Sequence, residues 1–162
     1  MDQALYSAYV KILEEELVPA MGCTEPIAVA YAAALARKAL GEMPQSVEVH
    51  VSANIIKNVK SVVVPHTGGL RGIGAAVAAG IVAGDADREL EVLSAVTEEQ
   101  VEAMAAYLKD TPISIAASDN GYIFDIQIRA NTGEHTAFVQ IAGSHTNVIR
   151  VEKDDVVLRS LE

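Results

Sequence analysis

Apolar positions recur close to the helical period over residues 3 to 17, at Leu5, Tyr6, Tyr9, Val10, Ile12, Leu13 and Leu17, with Glu14 to Glu16 on the wet side. Pro19 ends that pattern. A second helix is predicted from about Pro26 to Leu40, where Ile27, Val29, Tyr31 and Leu35 stand among alanines and Gly41 takes the C′ position. From Ser46 the period drops to two. Val47, Val49 and Val51 alternate with Glu48, His50 and Ser52, which predicts a strand with one wet face. Val62 to Val64 reads as a second short β run, broken by Pro65 and the flexible His66-Thr67-Gly68-Gly69. Gly72 to Ala83 is small and apolar throughout and predicts a buried helix, closed by the turn Gly84-Asp85. Thr97-x-x-Gln100 is a capping-box pattern opening a helix to Leu108, with Val101, Met104, Ala105 and Leu108 on one face. The last third predicts strands at 112–117, 122–130, 134–142 and 147–151, separated by Asp119-Asn120-Gly121, Asn131-Thr132-Gly133 and Gly143.

That order predicts an α+β fold: an N-terminal helical pair followed by a mixed, mostly antiparallel sheet with two or more packed helices. Residues 1–162 read as one compact unit, and about 46–152 as an α/β module set into a helical body. Apolar residues make up 51% of the chain and aromatics only 4%, so the core has to be built from Ala, Val, Ile and Leu at close helix approach. Twenty-two acidic residues against 12 basic give a formal charge of −10, whose field repels polyanions and argues against a nucleic-acid partner. The apolar runs are too short or too interrupted to span a membrane. Asp2 and the acidic run at 14–16 break any secretory leader, which together with an unpaired thiol points to the cytoplasm.

Cys23 is the only cysteine. It stands in Gly22-Cys23-Thr24-Glu25-Pro26, with Pro26 suited to a first helical turn and Thr24 or Glu25 as N-cap. A thiolate just outside a helix start is favoured by the free N–H groups and the dipole, whereas a thiol packed beneath the helix is inert. Gly72-Ile73-Gly74 superficially suggests a dinucleotide loop, but Val77 occupies the place of the third small residue, and close helix packing explains the glycines better. The four histidines lack zinc-helix spacing. His50 and His135 read as surface residues on strands, while His66 and His145 sit in loops beside Thr and Gly. Lys57 reads as a positive partner for a carboxylate or thiolate rather than a Schiff-base lysine, so no pyridoxal phosphate is expected.

Four ordered stretches, 19–30 (Pro-Ala-Met-Gly-Cys-Thr-Glu-Pro-Ile-Ala-Val-Ala), 52–58 (Ser-Ala-Asn-Ile-Ile-Lys-Asn), 64–72 (Val-Pro-His-Thr-Gly-Gly-Leu-Arg-Gly) and 144–147 (Ser-His-Thr-Asn), resemble the first part of the L-cysteine desulfidase family, related to the alpha chain of iron–sulfur L-serine dehydratases. The resemblance implies a fragment or subunit of a longer lyase that β-eliminates L-cysteine, releasing sulfide, or L-serine, releasing water, to give pyruvate and ammonia. It implies a [4Fe-4S] cluster in the complete enzyme, held by cysteines of a missing C-terminal domain or partner subunit and not by this chain. Cys23 is then the catalytic base, or in a rival role a single cluster ligand. Ser144, His145, Thr146, Asn147 and Arg71 would orient the substrate carboxylate, with Asn58 and Lys57 ranked below them. Self-association is open. The other reading is a non-catalytic amino-acid-binding or regulatory α+β fragment, so the isolated chain is not assigned as an enzyme from sequence.

Overall fold

A computed structural model describes residues 24–60, 62–118, 122–154 and 156–160. Helix α1, Thr24–Leu40, is alanine-rich and buried around most of its circumference from Ile27 to Ala34, as befits a helix lying between a sheet and other helices. Its end follows from one residue: Gly41 adopts φ +82° and donates its N–H to the Arg37 carbonyl at 2.9 Å. Strand β1, Ser46–Val51, buries Val47, Val49 and Val51 and exposes Glu48 and His50. Then follow α2 (Ala53–Val59), α3 (Gly72–Ala83), a 3₁₀ turn (Ala86–Glu91), α4 (Glu98–Asp110), β2 (Ile113–Ala117), β3 (Asp125–Asn131), β4 (Thr136–Ala142), β5 (Val148–Lys153) and β6 (Val156–Ser160).

The fold is α+β. The sheet order is β2-β1-β3-β4-β5-β6, with β1 and β2 parallel and every other pair antiparallel. One row of the register, Val49, Ile128, Val139 and Val151, faces the helices, while the row Glu48, Arg129, Phe138 and Glu152 lies on the opposite, open face. Helix α1 packs across β3 and β4, and α3 lies beside α1. A Cβ on Gly80 would collide with the backbone of Ala30, and one on Gly84 would come within 2.8 Å of the Ala34 Cβ. Both contacts share the same fifty-residue offset. The helices therefore run parallel, with their N-terminal turns at one end of the molecule and their C-termini at the other. Arg37 donates to the Ile81 carbonyl there, supplying a cation to the C-terminal end of α3.

Several elements depart from the sequence reading. Val62–Val64 is not a strand: among the described residues only one bridge, Val63 to Arg71, forms, because Pro65 and left-handed residues at His66, Gly68 and Gly69 turn the chain at once. Ala53–Val59 is helical, burying Ile55 and Val59 one turn apart, and was too short to show a period. Ser52, assigned by alternation to the wet face, is buried. On α4 the capping box is as expected, but Ala105 is exposed and Tyr107 reaches inward to donate to the Pro44 carbonyl at 2.8 Å. Strand β6 was not anticipated at all. Helix α1 already includes Thr24 and Glu25, so neither is its N-cap. The 3–17 helix, Cys23 and the 119–121 turn lie outside the described residues.

Candidate functional site

The antiparallel arrangement brings the end of β1, the start of β3 and the β4–β5 loop to one end of the sheet. Ser52 follows β1 and is tied to the start of β3 by two bonds: its N–H donates to the Asp125 carbonyl at 3.0 Å, and its Oγ accepts the Asp125 N–H at 3.2 Å. The Asp125 carboxylate is fully buried, accepting the Gln127 amide at 2.9 Å and the Gln140 amide at 2.8 Å. Burial of a carboxylate is tolerable only with such donors around it. One residue earlier, the Phe124 carbonyl accepts the Gly143 N–H at 3.0 Å, which fixes the β4–β5 loop against β3.

His145 is the centre of that loop. Its ring lies 4.6 Å from the Phe124 ring, tilted by 54°, and its Nε2 is shielded from solvent without a hydrogen-bond partner among the described residues. Burial pushes the imidazole below its usual 6.5, and the Glu25 carboxylate in the first turn of α1 pulls weakly the other way. That coupling puts the start of α1 beside the loop. The ring is thus neutral near pH 7, which makes its nitrogen pair one donor and one acceptor. Ser118, which follows β2 at the same end of the sheet, has a second buried atom without a partner among the described residues, its Oγ.

Of the other residues singled out from sequence, Ser144 is exposed and Thr146 half-buried in the same loop. Asn147 donates its amide to the Ala142 carbonyl at 2.8 Å, so it shapes the loop. Arg71 is exposed at the N-cap of α3, whose first turn lies at the same end as that of α1. Lys57 and Asn58 are exposed on α2, which begins beside Ser52. His66 is exposed in its left-handed loop, and His50 is on the open sheet face. His135 is half-buried and paired with Asp154 at 2.7 Å. Of the glycines of α3, Gly80 serves close helix contact as expected, with the Ala30 backbone against it, whereas Gly72 adopts a positive φ of +90° beside the Lys60 carbonyl. Sequence reasoning missed Ser52, Ser118, Phe124 and Asp125; the one available signal was an acid set inside the otherwise apolar 122–130 run. Among the described residues no three His, Cys, Asp or Glu side chains group as a metal site. An iron–sulfur cluster is held by several thiolates, and a chain with one cysteine does not fit that group.

This is an α+β chain whose helix starts and loop ends meet at one end of an open sheet. It is similar to a UPF0597 protein of Desulfitobacterium hafniense, 49% identical over 153 residues, covering 94% of this chain and 36% of the relative. Others are UPF0597 proteins of Treponema denticola, 42% identical over 158 residues (98% and 37%), and Vibrio campbellii, 39% over 153 residues (94% and 36%). The chain thus spans about a third of the length of the curated relatives it matches. No protein-family model matches it. These findings correct the resemblance drawn from four short motifs: relatives matching over nearly the whole chain carry the UPF0597 name, not that of a desulfidase or serine dehydratase. Gly-, Ser- and His-containing loop motifs are short, and identity spread over 150 residues outweighs them. No described helix is long and apolar enough to cross a membrane.

Proposed function

We propose that this chain forms the carboxylate-holding wall of a small amino-acid site in a longer cytoplasmic protein, and that the reaction served there is β-elimination from L-cysteine or L-serine to pyruvate and ammonia. The observation that carries the reading is the shielded Nε2 of His145, without a partner among the described residues, at the meeting of the α1 start and the β4–β5 loop. A buried polar atom left unpaired costs about 1–3 kcal/mol, so it calls for an occupant. A neutral imidazole flanked by the Ser144 and Thr146 hydroxyls offers hydrogen bonds to a carboxylate without adding a fixed charge. Cys23, one residue before Thr24 in sequence, is assigned the removal of the Cα proton. Loss of that proton and of the β substituent gives an aminoacrylate, which water hydrolyses to pyruvate and ammonia. The group that takes away the β substituent is not supplied by this chain.

Binding without turnover is the second reading, favoured by the chain's covering only about 36% of its relatives. Calorimetry of this chain with L-serine and L-cysteine, alongside pyruvate release by the Desulfitobacterium relative purified without oxygen, separates the two. Binding here with turnover there supports the lyase; binding without turnover supports the regulatory reading. Absence of both removes the site.

A further inference from the structure

At the other end of the molecule, on the open face of the sheet, lies a depression of about 390 Å³ that the His145 site does not involve. Its floor is the Phe138 ring, and the register puts Arg129 on one flank and Glu152 on the other, one strand away on each side. The Arg129 guanidinium lies over the ring, 5.1 Å from its centre, and its Nε sees Glu48 only at 3.8 Å. Stacking of this kind orients the planar fork and leaves its terminal N–H groups for a bidentate acceptor. The rim is rigid. Asp154, held at φ +52°, donates its N–H to the Thr136 carbonyl at 2.9 Å, accepts the Thr136 N–H on Oδ1 at 2.9 Å, and pairs through Oδ2 with His135 at 2.7 Å. Glu152 is paired with Arg150 at 3.0 Å.

After these pairings Arg129 has no close carboxylate, only Glu48 at 3.8 Å and the more distant charge of Glu152, and Glu134, bonded through its backbone N–H, has a carboxylate with no partner among the described residues. The volume falls in the range of small-ligand sites. We propose that this depression is a second binding site for a small zwitterion of the α-amino-acid class, its carboxylate on Arg129, its ammonium on Glu134 and its side chain over Phe138. The site stands on its own residues and does not depend on the reading of the His145 end.

The test is a titration of the ¹⁵N-labelled chain, followed by backbone amide shifts, with L-serine as the zwitterion, acetate as the carboxylate alone and ethanolamine as the ammonium alone. L-Serine should give saturable shifts at residues 129 and 134–138, with acetate and ethanolamine at least about tenfold weaker. Arg129→Gln and Glu134→Gln should each weaken binding about tenfold, the loss expected for one charge-assisted contact, while His145→Asn leaves these shifts unchanged. Both altered residues are exposed, and unchanged shifts elsewhere verify that the variants fold. Equal response to acetate means an adventitious anion only and overturns the proposal, as does full affinity in both variants. Shifts confined to residue 124 and residues 143–147 overturn it too, while leaving the other site standing.

Discussion

His145 shows how much one side chain depends on what surrounds it. Its imidazole is held below 6.5 by burial, so the unfolded chain takes up a proton at a higher pH than the folded one. Stability from this group is therefore present above pH 6.5 and is lost as pH falls toward the lower folded value. Denaturant midpoints of wild type and His145→Asn between pH 5 and 8 should converge at the acid end of that window. Glu25→Gln removes the one contribution that raises the value, so the His145 titration followed by NMR should move further down. A shift upward would mean the two groups are not coupled as described. The sequence marked His145 as a loop residue beside hydroxyls, but nothing local could reveal that Phe124 stacks on it from twenty-one positions away. Asp125 was likewise invisible as a buried acid, because its donors Gln127 and Gln140 come from its own strand and the neighbouring one.

Elements were most legible where the local code is complete. The capping box on α4 has both halves, with the Thr97 Oγ accepting the Gln100 N–H at 3.2 Å and the Gln100 side chain accepting the Thr97 N–H at 2.9 Å. Thr97→Ala should cost about 1 kcal/mol in chemical unfolding, with no change elsewhere in the spectrum. The glycines of α3 differ from one another in a way that sequence cannot tell. At Gly80 the obstacle is the backbone of Ala30, which cannot retreat, so Gly80→Ala should destabilise by about 2 kcal/mol or more despite its better helix propensity. At Gly74 the nearest atom is the end of Leu108, 3.3 Å away, and a flexible side chain gives way. Gly74→Ala should be neutral or stabilising by up to about 1 kcal/mol. Equal losses at both positions would argue against the parallel α1–α3 contact. Short elements escaped for different reasons: the seven residues of α2 span less than two helical turns, and β6, Val156-Val157-Leu158-Arg159-Ser160, does not alternate apolar with polar positions.

At the scale of the molecule, alternation and turn chemistry disclosed an α+β chain, but the strand order did not follow from them. Pairing of β1 with both β2 and β3 joins segments some seventy residues apart, and it is this pairing that sets Ser52 beside Asp125 and the β4–β5 loop. The inner row has no slack. Ile128, fully buried between β1 and β4, should cost about 2–5 kcal/mol when cut to Ala. The motif at 144–147 falls in the β4–β5 loop at the polar end of the sheet, but the four motifs together misdirected the family comparison. On the reading proposed above, a small amino acid satisfies the shielded Nε2 of His145. The most direct measurement of this is the long-range ¹H–¹⁵N spectrum of the His145 ring during titration with L-serine and L-cysteine at neutral pH. The expected result is a neutral ring whose Nε2 resonance moves saturably with the amino acids and stays in place with ethanolamine, which lacks the carboxylate. An Nε2 signal unmoved at saturating amino acid, or a ring already protonated at neutral pH, would contradict that reading.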